Sequence, residues 1–113
     1  MPGPLRLLFV HGPEAACWRV GFDLAQAAAA LDVPVELAFA ADGLRLLLAD
    51  VVDEAPARAA RGAYASLELL GIEAVYAPAR PDVVVAAPSA LPIRWLAPAA
   101  WQSWLRRASV QVW

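Results

Sequence analysis

Apolar positions along this chain fall into two patterns: short apolar runs that suit strands, and longer stretches with helical spacing. Leu5 to Val10 is an apolar run closed by the turn signal His11-Gly12-Pro13, the pattern of a strand covered on both faces. From Glu14 to Leu31, residues Cys17, Val20, Gly21, Leu24, Ala27, Ala28 and Leu31 recur with helical spacing, opposite Arg19, Asp23 and Gln26. Arg19 and Asp23 are spaced to pair across one turn. Trp18 and Phe22 fall beside this stripe, which points to a subunit contact.

Val35 to Ala40 reads as a second strand, followed by a short helix through Leu48 with Asp42 as its expected N-cap. Pro56 opens a further helix, in which Ala60, Ala63, Tyr64, Leu67 and Leu70 oppose Arg58, Arg61 and Glu68, and Gly71 closes it. Ile72 to Ala77 is expected as the third strand. Prolines 78, 81, 88 and 92 break up the next segment, so Val83-Val84-Val85 is read within an extended loop. Ile93 to Leu96 follows as a strand and Pro98 starts a helix carrying Trp101, Trp104, Leu105 and Ala108. Val110 to Trp113 ends the pattern as a strand. Strands and helices alternating at this spacing predict an α/β fold, a three-layer α/β/α sandwich around a mostly parallel sheet of about five strands. Ligands in such folds sit at the carboxyl ends of the strands, here near His11, Asp42, Ala77 to Ala79 and Ala97.

Composition narrows the function. The chain has 113 residues, which predicts one domain over 1–113. It is 61% hydrophobic and 18% charged, more apolar than a typical free monomer, so part of its surface is expected to face another subunit. Eleven acidic residues against nine basic ones leave no electrostatic footprint for direct nucleic-acid binding. All nine basic residues are Arg, which removes lysine Schiff-base chemistry and Walker-type phosphate grips. No apolar stretch is long enough to span a membrane, and the amino-terminal run reads as a strand and not a signal peptide. A soluble, cytoplasmic protein is the expectation.

Candidate chemistry is sparse. One cysteine, Cys17, and one histidine, His11, exclude a disulfide framework and a four-ligand zinc site of Cys and His, so no metal is expected. Leu8-Phe9-Val10-His11-Gly12 superficially resembles a hydrolase oxyanion loop, but the chain has no G-x-S-x-G elbow and no second histidine. Gly12 opens no dinucleotide fingerprint, and no cofactor is expected. A weak anion site at the start of the first helix stays open, with Glu14 opposing it. Cys17 is the one good nucleophile, in the first turn of a helix, with His11 on the preceding loop, so these two are the candidate catalytic residues. Against that, Cys17 falls on the stripe expected to pack on the sheet. Trp95, Trp101, Trp104 and Trp113 read as core or subunit interface, and Arg106 and Arg107 as a solvated helix end.

Three segments in order, Phe9-Val10-His11-Gly12-Pro13, Ala40-Ala41-Asp42-Gly43-Leu44 and Leu67-Glu68-Leu69-Leu70-Gly71-Ile72, with the Trp101 to Trp113 ending, resemble the DsrE/DsrF family of small sulfur-relay proteins. The likeness is greatest to its TusC/DsrF-like branch and spans most of the chain. It implies a parallel five-stranded sandwich and assembly into dimers, trimers or hetero-hexamers of related small subunits. Some members pass persulfide sulfur along a cysteine relay, toward tRNA thiolation or in sulfur oxidation. Catalytic members carry the sulfur-accepting cysteine after the third strand, where this chain reads Ala74-Val75-Tyr76-Ala77-Pro78-Ala79-Arg80. The resemblance therefore implies a non-catalytic, oligomeric subunit, a homo-oligomer or a hetero-oligomer with related small DsrE-like subunits, with a DsrC-like sulfur carrier as a further partner. Alternatives are a small thiol enzyme or redox sensor using Cys17, and a flavodoxin-like module binding an anionic small molecule.

Overall fold

The computed structural model describes residues 4–48, 55–72, 74–79, 90–107 and 110–113. Its strands are β1 (Leu5–Phe9), β2 (Val35–Phe39), β3 (Val75–Pro78), β4 (Ile93–Leu96) and β5 (Val110–Val112). Its helices are α1 (Cys17–Ala30), α2 (Ala55–Ala65) and α3 (Pro98–Leu105), with 3-10 helices over Ala41–Leu46 and Ser66–Leu70. All five strands run parallel in the order β4-β3-β2-β1-β5. The reading of Val83-Val84-Val85 lies outside the described residues.

That order explains which helix lies on which face. The chain enters β2 and β3 on one side of β1, so right-handed crossovers put α1 and α2 on the same face. α3 then carries the chain back past β1 to β5, which puts α3 on the opposite face. Side chains alternate accordingly. Leu7, Phe9, Leu37, Phe39, Val75 and Ala77 enter the core under α1 and α2, whereas Leu8, Ala38 and Tyr76 meet Trp104 of α3. The tryptophans divide the same way: Trp95 and Trp113 pack with the first core, Trp101 and Trp104 with the second.

Tyr64 of α2 is the hub of the larger core. Its ring centroid lies 5.5 Å from Phe9, 5.2 Å from Phe39, 5.4 Å from Phe22 and 5.8 Å from Trp18. Phe9 also stacks on Phe39 at 5.0 Å. Each such buried ring contributes roughly 1.5–3 kcal/mol relative to exposure.

This hub corrects the reading of α1. The buried line is Trp18, Gly21, Ala25 and Ala28, while Val20, Ala27 and Leu31 face outward. Gly21 and Ala28 lie on both the expected stripe and the buried line, and the buried face is turned from the expected one toward Trp18 and Ala25. Trp18, 3% exposed, belongs to the core and not to a subunit contact. Gly21 explains the choice: a Cβ there would stand 2.6 Å from Phe9 and 2.9 Å from Trp113, so α1 turns its smallest residue to two rings. Arg19, expected to pair with Asp23, instead lies over the Trp18 ring at 4.8 Å.

Two helix ends close with the same hydrogen-bond pattern. Gly71, at φ 91°, ends the second 3-10 helix as expected, with Ile72 N–H donating to the Leu67 carbonyl and Gly71 N–H to that of Glu68. Asp32 does the same for α1 at φ 58°, with Val33 N–H donating to the Ala28 carbonyl. Asp42, however, is no N-cap. The first 3-10 helix begins one residue earlier, after extended Ala40, and Gly43 N–H donates to the Ala40 carbonyl.

Candidate functional site

The crevice where strand order reverses, between β1 and β5, is the expected ligand position, and backbone groups at the end of β1 are paired on both sides. Val10 N–H donates to the Trp113 carbonyl at 3.2 Å, and Ala40 N–H to the Phe9 carbonyl at 3.0 Å. Gly43 sits against the same carbonyl so closely that a Cβ would lie 2.0 Å from its oxygen. Only glycine permits that approach.

The loop between β1 and α1 is likewise pinned. Trp18 Nε1 donates to the Pro13 carbonyl at 3.0 Å, and Glu14 forms an ion pair with Arg45 at 3.0 Å. The pair lies over Gly12, where a Cβ would come within 2.8 Å of both side chains. Glu14 thus places a carboxylate at the one loop where an anion was conceivable. His11 is exposed on this loop and Cys17 is half-buried as the first residue of α1. Among the described residues no hydrogen bond joins them, so the structure brings no thiol–imidazole pair together.

Sequence reasoning missed two features. The first is Tyr64, fully buried with no hydrogen-bond partner for its hydroxyl among the described residues. Burial pushes that hydroxyl well above the usual phenol range, and a thiolate at Cys17 would push it further. The second is a cleft of about 360 Å³ beside α3, lined by Glu36, Tyr76, Leu96, Ala100, Ser103, Trp104 and Arg107. Trp104 Nε1 donates to Glu36 Oε2 at 3.1 Å, and Arg6 Nε lies 3.7 Å from the same oxygen. Trp101 stacks on Trp104 at 5.8 Å. The available signal was the alternation of Glu36 with Leu37, which puts a carboxylate on the helix-covered face beneath a tryptophan.

Among the described residues no three His, Cys, Asp or Glu side chains gather as a metal site, and no helix is long and apolar enough to cross a membrane. Compared with family models, with curated proteins and with solved structures, the chain gives no match.

Proposed function

We propose that this chain is a non-catalytic, oligomeric subunit of a DsrE/DsrF-like sulfur-relay complex, one that shapes a docking surface for related subunits and a DsrC-like carrier and does not itself hold sulfur. The observation that carries this reading is the end of β3. Tyr76, Ala77, Pro78 and Ala79 occupy the strand end and the start of the connection, and none offers a thiol. The one cysteine belongs to α1, which follows β1, and β2 separates β1 from β3. Persulfide transfer needs a thiolate attacking sulfur, and neither Tyr76 nor an arginine substitutes for it. The parallel five-stranded sandwich agrees with what the resemblance implies.

The test is sulfur loading. Purified protein is incubated with a cysteine desulfurase, cysteine and labelled sulfur, in parallel with Cys17→Ser. The expected result is no retained label on either form, with label appearing once a cysteine-bearing partner is added. Stable persulfide on the isolated wild-type chain overturns the reading.

One observation favours the rival, a thiol enzyme or redox sensor. Cys17 is half-buried, not sealed, at the start of a 14-residue helix with no acidic side chain in its first turn. Fast alkylation of native Cys17 at neutral pH would promote that rival. Slow alkylation is expected.

A further inference from the structure

We infer that the chain binds a second copy of itself head to tail, with Leu69 of one copy seated in the cleft beside α3 of the next and Glu68 facing Arg107. This rests on the oligomeric reading above and adds the two surfaces to it.

The first surface lies where α1 and the second 3-10 helix end side by side. Leu31, Val33 and Leu69 stand exposed there, Leu69 at 89%. They border a groove of about 290 Å³ lined by Asp32, Val33, Pro34, Leu70, Gly71 and Ile72. Asp32 and Glu68 give this apolar patch an acidic rim. Leu69 is a projecting apolar knob on a short turn, fixed by the two hydrogen bonds that close at Gly71.

The second surface is the α3 face. Every residue of α3 except Trp101 and Trp104 is exposed, and the helix carries no charge of its own. Its cleft offers Leu96, Ala100 and the rings of Tyr76 and Trp104 as apolar walls, and 360 Å³ is ample for a leucine side chain. Glu36 is the one acid in the lining among the described residues, and Trp104 and Arg6 already engage it. Among the described residues, the exposed charges around this face are the basic ones: Arg107 on the cleft, Arg106 beside it and Arg94 on β4. A basic-rimmed apolar cleft and an acidic-rimmed apolar knob on one chain complement each other. Because the two patches differ, the contact is heterologous and closes as a ring or continues as a filament.

The test uses the full chain in analytical ultracentrifugation across the micromolar range. Wild type is expected to gain mass with concentration. Leu69→Arg removes the knob and Ala100→Arg blocks the cleft; both positions are exposed, and circular dichroism checks that each variant folds. Each alone is expected to associate roughly 30-fold more weakly, about 2 kcal/mol, the burial of one leucine. Mixed in equal amounts they are expected to form dimers, since each keeps the surface the other lacks. Glu68→Arg and Arg107→Glu are each expected to weaken association by roughly threefold, and their combination in one chain to restore it. A monomeric wild type, a Leu69→Arg chain that assembles like wild type, or a mixture that stays monomeric overturns the inference. Sulfur loading reads the proposed function separately: a chain that assembles only with a different partner sinks this contact and leaves that function standing.

Discussion

The two faces of the sheet are made from alternate residues of the same strands, yet they are finished differently. Under α1 and α2, Tyr64, Phe9, Phe39 and Trp18 are buried with Phe22 half-buried at their edge, the 3-10 helices add buried leucines at positions 44, 46 and 67, and Leu47 follows the first of them. Under α3, an eight-residue helix covers a small cluster of Leu8, Ala38 and Trp104 and leaves an open cleft beside it. Among the described residues, the sealed face contains an unpartnered hydroxyl, and the open face contains a hydrogen-bonded carboxylate. The first face holds the fold together. The second leaves apolar and charged groups available to a partner.

Neighbouring leucines on β1 test this contrast most strongly. Leu7 points into the sealed core and Leu8 toward α3. Leu7→Ala is expected to cost about 4 kcal/mol and Leu8→Ala about 2 kcal/mol by urea denaturation, because the closed core cannot collapse around the gap while the open face can rearrange. Equal costs would break the comparison.

Removing the polar atom of one aromatic on each face should give opposite signs. Trp104→Phe loses the bond to Glu36 and leaves its carboxylate under-satisfied, at a cost of about 2 kcal/mol. Tyr64→Phe removes a buried hydroxyl that has no partner among the described residues and is expected to stabilise by about 1 kcal/mol. A destabilised Tyr64→Phe would mean that its hydroxyl is satisfied in solution.

The sharpest test is at alkaline pH. Tyr64 keeps its proton in the folded chain above the usual phenol range, whereas the unfolded chain releases it near pH 10. Its contribution is therefore complete below about pH 10 and is lost as pH rises, at up to about 1.4 kcal/mol per pH unit. Melting between pH 9 and 11 should show this loss in wild type and a smaller one in Tyr64→Phe.

What was legible in the sequence was local. The apolar runs marked the strands, Pro98 marked the start of α3, and Gly71 closed its helix, because each signal acts within a few residues. The face of α1 was not legible, since an alanine-rich helix offers apolar spacing on more than one line. Tyr64, Phe9 and Trp113 decide between those lines, and all three lie outside the helix, Tyr64 and Trp113 far along the chain. Asp42 misled for a related reason: the tight approach of Gly43 to β1 sets where the turn begins. For the site, His11 and Cys17 were visible as chemistry but not as an unpaired couple. The α3 cleft depends on Glu36 and Trp104 meeting across 68 residues of chain.

The pairing of β5 with β1 bears on how the chain is made. Arg6 lies opposite Val110, so β1 waits for a segment far along the chain before its second edge is hydrogen-bonded. Contacts so far apart in sequence form late and slow folding. During synthesis the nascent β1–β2 pair presents an open edge along Leu5–Phe9, a template for other strands. Chaperone capture, and aggregation of chains truncated before Val110, are the vulnerabilities this strand order builds in.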